Sequence, residues 1–224
     1  LEPRVQGLQP AAASRRFPFY LATAMTQLPE LLLSRQEIRQ MIRQRRRTLT
    51  SQQQTAFGQQ AATRMLAYPP VVLAHTVAVF LSFDGELDTQ PLIEQLWRAG
   101  KRVYLPVLHP FSPGNLLFLH YHPQSSLVMN RLKIQEPKLD VRDVLPLSQL
   151  DVLVTPLVAF DEDGQRLGMG GGFYDRTLQN WRQHKIQPVG YAHDCQLVEK
   201  LPVEEWDIPL PAVVTPSKVW EWPQ

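Results

Sequence analysis

The sequence predicts an α/β fold: a single three-layer domain in which a central, mostly parallel sheet is flanked by helices. Short continuous apolar runs such as residues 77–81 have the pattern of strands buried on both faces. They alternate with amphipathic stretches of helical period. The run 152–160 leads into a glycine-rich loop and then a helical pattern, the layout of strand ends in open α/β sheets.

A chain of 224 residues is long enough for one large domain, and 44% hydrophobic with 20% charged residues is ordinary for a soluble globular protein. A formal net charge of +2 does not by itself argue for a nucleic-acid partner. The single cysteine, Cys195, excludes an intramolecular disulfide and fits a reducing compartment, so a cytoplasmic location is expected. No apolar run approaches the roughly 18 residues of a membrane-spanning helix. Residues 1–24 differ in character. Their short apolar patch, 17–22, faintly imitates a signal peptide but is interrupted by Pro18. They are expected to be a disordered or non-native extension, with Met25 as the natural start and residues 25–224 as the domain.

Ser34 with Glu37 forms a capping-box pattern opening the first helix, whose apolar face is Ile38, Met41, Ile42 and Leu49. Arg35, Arg39, Arg43 and Arg47 recur every four residues as a basic stripe, thickened by Arg45 and Arg46. Like charges at that spacing repel. The stripe therefore points to an anionic partner suited to guanidinium groups, or else to a solvated face. A second helix is expected over 51–66, ended by Tyr68, Pro69 and Pro70. The strand 77–81 leads to Glu86 and Asp88, which are candidates for a ligand contact or ordinary loop carboxylates. Thr89 opens a helix through Trp97. Strands are expected over 103–107 and 116–121, with a turn at Ser112, Pro113 and Gly114 and another at residues 134–137. Residues 189–192 and 212–214 complete the strands, 196–201 is a candidate helix, and 206–209 a bend. His120 and His122 share a strand face but lack a third ligand at a recognisable spacing, so they are taken as polar strand residues. His193, Asp194 and Cys195 adjoin without the ordering of a nucleophilic pair.

Four of the eleven glycines, Gly168, Gly170, Gly171 and Gly172, fall in one five-residue stretch. Such a loop between a strand and a helix lets backbone N–H groups approach an anion, though glycine richness alone also suits a flexible link. No Gly-Lys-Ser/Thr closes it, so it is not a Walker A loop. The position required to be glycine in the dinucleotide fingerprint is Phe173. No serine lies nearby for a nucleophile elbow. Arginine, glycine amides and the carboxylate of Asp175 remain, groups suited to a polyphosphate and Mg²⁺.

Residues 160–175 resemble the signature FDxxGxRLGxGxG[FY]YD of the 5-formyltetrahydrofolate cyclo-ligase family, also called methenyltetrahydrofolate synthetases. Other features follow in order: Arg35 and Arg39 on the basic helix, Phe80, Leu81 and Ser82 with Glu86, the turn at 134–137, and the late acidic residue Asp207. The resemblance covers roughly residues 34–215. It implies a NagB/RpiA-like domain that closes 5-formyltetrahydrofolate to 5,10-methenyltetrahydrofolate with ATP and Mg²⁺. It also implies that Arg35, Arg39, Arg166, Leu167, Gly168, Met169, Gly170, Gly171, Gly172, Phe173 and Tyr174 hold ATP. Arg166 and Tyr174 would be the catalytic residues, Leu81 and Glu86 with Gly170 and Gly172 would meet the folate, and Asp175 and Asp207 the metal. Gly171 stands where some members carry lysine, and Leu157 where glycine is frequent. A monomer acting on two small molecules, with neither nucleic acid nor membrane as partner, is expected. The rivals are a sugar-phosphate isomerase or deaminase of similar fold, an RNA-binding module built on the arginine helix, and a non-catalytic folate-binding protein.

Overall fold

A computed structural model describes residues 33–224. The sequence expectations for residues 1–24 and for Met25 lie outside the described residues. The chain opens with three helices, α1 (Arg35–Arg47), α2 (Ser51–Ala67) and α3 (Pro69–Leu73). The capping box forms as expected, Ser34 accepting from the Glu37 N–H while the Glu37 carboxylate accepts from Ser34 N at 2.7 Å. α1 stops at Thr48, whose hydroxyl donates to the Arg45 carbonyl, so Leu49 falls outside the helix. Tyr68, in an extended conformation, ends α2 as expected, and Pro69 and Pro70 then open the separate short α3, because proline in a first turn has no N–H to lose.

An eight-stranded sheet follows. Its strands are β1 (Thr76–Ala78), β2 (Arg102–Leu108), β3 (Leu116–Tyr121), β6 (Val144–Leu145), β7 (Val152–Thr155), β10 (Gln187–Tyr191), β12 (Ala212–Val214) and β13 (Val219–Glu221). Their order is β13-β12-β10-β7-β1-β2-β3-β6. The five central strands are parallel, and both edges are antiparallel. The expected last strand, 212–214, is thus followed by one more. The central strands alternate between two cores. Val77, Val79, Val152, Val154, Val189 and Tyr191 pack with α2 and with α4 (Gln90–Arg98), whereas Ala78, Leu153 and Val213 pack on the other face with Leu178 and Ile186. This is the three-layer arrangement that continuous apolar strands require.

The apolar run 152–160 divides at Pro156. β7 stays in the main sheet, while β8 (Ala159–Asp161) joins β9 (Arg166–Leu167) and β11 (Leu197–Val198) in a separate three-stranded sheet. Ile38 and Ile42 of α1 pack on that small sheet against Ala159, Leu167 and Val198. The arginine helix is thereby fixed beside the glycine loop. Residues 134–137 form no simple turn: β5 (Gln135–Pro137) pairs with β4 (Leu127–Met129) in a hairpin. The candidate helix 196–201 is a short 3₁₀ turn, Asp194–Gln196, followed by β11. The helix after the glycine loop breaks at Asn180 into α5 (Phe173–Leu178) and α6 (Trp181–His184).

The connection from β1 leads through α4 to β2 on one side, while that from β7 leads through α5 and α6 to β10 on the other. The order of the strands reverses between β1 and β7, and such a switch point leaves a crevice at the strand ends.

Candidate functional site

A cavity of about 680 Å³ lies at that crevice. Its wall contains Leu81 and Glu86 from the exit of β1, Pro156 and Leu157 from the exit of β7, Arg35 and Arg39 of α1, and Arg166, Gly168 to Tyr174 and Asp175. Residues widely separated in sequence converge there.

Arg166 is the centre of the charged side. It is only 6% exposed, its Nε donates to the Pro156 carbonyl at 2.9 Å, and its Nη1 lies 3.8 Å from Asp175 Oδ1. Its guanidinium stands over the Tyr174 ring, 5.5 Å from the centroid. Burial pulls Arg166 below its ordinary pKa, opposed chiefly by the charge of Asp175. Burial likewise raises the Tyr174 phenol, which stays neutral at physiological pH. A buried guanidinium needs acceptors; a bound polyphosphate would supply more.

The glycine loop has the backbone its composition implies. Gly170 adopts φ +109° and Gly172, at the N-terminus of α5, φ +70°. A Cβ at Gly171 would stand 2.7 Å from the Phe173 ring. Arg39 Nε donates to the Gly168 carbonyl at 2.8 Å, tying the loop to α1. Arg176, which the sequence did not single out, braces it from the other side by donating to the Gly171 carbonyl at 2.8 Å and the Gly114 carbonyl at 3.0 Å.

The two acidic residues assigned to metal stand on either side of one backbone junction. Asp175 Oδ1 accepts from Ile208 N at 3.2 Å, and Ile208 follows Asp207. Asp207 is held by Arg35 through two contacts, 2.6 and 3.2 Å, and accepts from Glu204 N at 2.8 Å. The Asp175 carboxylate on the cavity wall fits Mg²⁺, which takes one or two carboxylates and completes its shell with phosphate oxygens and water, whereas the Asp207 carboxylate is occupied by Arg35. His120 and His122 lie with rings 5.4 Å apart, and among the described residues no cluster of three or more His, Cys, Asp or Glu is able to hold a metal.

At the exit of β1, Glu86 Oε2 accepts from Phe83 N at 3.1 Å. Desolvation pushes its carboxyl up to about 7, with the Phe83 bond and Arg46 opposing. The cavity continues along an apolar wall absent from the sequence-based site: Leu105, Pro106 and Leu108 of β2, Leu116 of β3, and Leu132 and Ile134 of the β4–β5 hairpin. Glu136 fastens that hairpin by accepting from Leu108 N at 3.1 Å and Asn130 Nδ2 at 3.0 Å. Trp206, 63% exposed, stands at the rim.

Two assigned residues sit elsewhere. Leu167, expected at ATP, does not line the cavity, because its side chain is fully buried with Ile38 and Ile42. Asp207 lies behind Arg35 and outside the wall. The arginine stripe turns largely inward: Arg35 to Asp207, Arg39 to Gly168, Arg43 and Arg46 to Asp84, and Arg45 to the Cys195 and Leu197 carbonyls.

Residues 33–216 match a family model described as the 5-formyltetrahydrofolate cyclo-ligase family. The 5-formyltetrahydrofolate cyclo-ligase of Escherichia coli (strain K12) is 89% identical over 182 residues, which is 81% of this chain and 100% of that protein. The protein of the same name from Haemophilus influenzae is 53% identical over 176 residues, 79% of this chain and 94% of that one. Among solved structures, the NMR structure of Aquifex aeolicus 5,10-methenyltetrahydrofolate synthetase aligns with a TM-score of 0.72 at 27% identity, covering 84% of this chain and 93% of that chain.

Proposed function

The chain belongs to the 5-formyltetrahydrofolate cyclo-ligase family, and from that premise we propose that it couples cleavage of ATP to ADP and phosphate to closure of 5-formyltetrahydrofolate into 5,10-methenyltetrahydrofolate. The observation that carries the reading is the convergence in one cavity of phosphate-type groups (Arg35, Arg39, Arg166 and the glycine loop) with an apolar wall ending at Glu86. A sugar phosphate would use the first half and leave the second without a purpose.

A formamide carbonyl is a weak electrophile and its oxygen a poor leaving group. Transfer of the γ-phosphoryl group to the formyl oxygen breaks the bond to ADP and leaves an iminium phosphate at N5. N10 of the same folate then donates its electron pair to that carbon and loses its proton. The carbon–oxygen bond breaks with departure of phosphate. Both reacting groups belong to the substrates, so the protein supplies position and charge.

Arg35, Arg39, Arg166 and the amides of residues 168–174 bind and orient ATP, with Arg166 placed to take up charge on the transferring group. Tyr174, neutral and packed on Arg166, shields that guanidinium from water. Asp175 and Asp207 would hold Mg²⁺, which would neutralise phosphate charge. Arg35 then exchanges its Asp207 contact for a phosphate. Leu81, Glu86, Gly170 and Gly172 meet the folate. The enzyme works in the cytoplasm, and no helix among the described residues is long and apolar enough to cross a membrane.

The test mixes the protein with 5-formyltetrahydrofolate, ATP and Mg²⁺ and follows the methenyl product by its near-ultraviolet absorbance. Product formation dependent on all three supports the reading. No product, with neither ligand protecting the fold against heat, sinks it.

A further inference from the structure

α1 reaches both halves of the cavity. Its first turns carry Arg35 and Arg39 to the glycine loop. One to two turns further on, Arg43 and Arg46 meet Asp84 in the loop that bears Glu86. Arg43 Nε donates to Asp84 Oδ2 at 3.1 Å, and Arg46 Nη2 lies 3.6 Å from the same oxygen. Arg46 is 5% exposed and its Nε has no protein partner, while its Nη2 is ion-paired with the Asp84 carboxylate.

The Asp84 backbone shows what this contact holds in place. Asp84 has φ +51° and Gly85 φ +77°, the two central residues of a tight turn closed by Glu86 N donating to the Phe83 carbonyl at 3.1 Å. Left-handed φ at both central positions is the pattern of a type I′ turn. Glycine takes it freely, whereas aspartate takes it at a cost. Gln54 of α2 adds a second tie by donating to the Gly85 carbonyl at 3.2 Å. The Glu86 carboxylate, which accepts from Phe83 N across the same turn, is therefore placed by a strained loop whose charged residue is gripped by the nucleotide helix.

Resting on the cyclo-ligase reading, we infer that Asp84 is a positioning residue that couples the two substrates: through Arg43 and Arg46 it ties the folate-facing Glu86 to the helix that holds ATP. Phosphate binding at Arg35 and Arg39 sets the position of α1, and the ion pair carries that position to the turn. Coupling of this kind is reciprocal, so each ligand tightens the other by the same factor.

The test is a binding cycle. The affinity for 5-formyltetrahydrofolate is measured with and without a non-hydrolysable ATP analogue plus Mg²⁺, in the wild type and in Asp84→Asn. Asparagine tolerates the left-handed backbone and removes only the charge. In the wild type the analogue tightens folate binding by about fivefold or more, the low end for coupled sites because Arg43 and Asp84 are partly exposed. Asp84→Asn loses most of that factor while folate binding without nucleotide changes little. Asp84→Gly, which relieves the φ constraint, and Arg43→Met, which removes the exposed partner, lose it as well, so the test survives if one variant fails to fold. Folded variants with wild-type coupling overturn the inference, as does a wild type that binds both ligands and turns over without coupling. A wild type that binds neither ligand removes it together with the function beneath it.

Discussion

The glycine loop and the β4–β5 hairpin line the same cavity with different physics. The loop offers amides, Arg166 and Asp175 on a backbone that only glycine adopts freely, at Gly170 and Gly172. The hairpin offers Leu132 and Ile134, held by neutral backbone pairing and by Glu136. Charge is directional and acts at the atom where charge develops, whereas apolar contact is spread over area and acts equally before and during the reaction. The loop side should therefore control turnover, and the hairpin side folate affinity. A variant that crosses that division would break the comparison.

The largest effect is expected at Arg166. Arg166→Ala should lower kcat by a factor on the order of 10²–10³, about 3–4 kcal/mol, as for other preorganised donors. Affinity for folate should move far less. Arg166→Lys should rescue little, because an ammonium cannot span the Pro156 carbonyl and Asp175 while also meeting phosphate. Steady-state kinetics with each substrate varied checks both; a variant altering only the folate KM would contradict the division.

Gly170→Ala comes next. At φ +109° a side chain strains the backbone by about 1–3 kcal/mol, so nucleotide binding or turnover should fall by roughly 5- to 150-fold. The open space around Gly170, where an added Cβ meets nothing nearer than Arg39 at 3.8 Å, makes φ the cause rather than crowding. Substitution at Gly171 would instead collide with Phe173. On the opposite wall, Ile134→Ala should raise the folate KM by about 5- to 10-fold, corresponding to about 1–1.5 kcal/mol of lost apolar contact, with kcat and the ATP KM unchanged.

The same contrast governs what could be read without coordinates. Glycines, an arginine and an aspartate compressed into residues 164–175 carry a local signal, and the capping box of α1 likewise declares itself within four residues. Strands buried on both faces were legible because a short continuous apolar run between polar loops suits a strand covered on both sides. The apolar wall was not. Leu105 and Leu116 are ordinary strand residues and Ile134 an ordinary residue of the hairpin connection, and only the pairing of β2 with β3 and the placing of the hairpin bring them together. Residues 134–137 looked like a turn because Pro137 punctuates them, yet the tie of Glu136 to Leu108 N is a contact of sequence separation 28 that no local pattern encodes. The division of 152–160 between two sheets is hidden for the same reason. Arg166 could be singled out as a candidate ligand residue, but its deep burial is a property of the packed fold.

The smallest effect sharpens the boundary between the two sides, where Glu86 sits. Its carboxyl has an ordinary value of 4.5 in the unfolded chain and about 7 in the fold, mainly through desolvation. The native state therefore favours the protonated form. Its contribution to stability is fully present below pH 4.5 and is lost as the pH rises through 7. Glu86→Gln has no such loss, so its melting temperature relative to wild type should climb between pH 5 and pH 8, by about 2–4 °C for each kcal/mol of ionisation cost. His193, buried and lowered to about 4, titrates in the opposite sense, its stabilisation disappearing as pH falls from 6.5 towards 4. That slope is common to both proteins and cancels in their difference. A gap that stays constant from pH 5 to pH 8 would mean that Glu86 is solvated, and it would then belong with the charged loop rather than with the apolar wall.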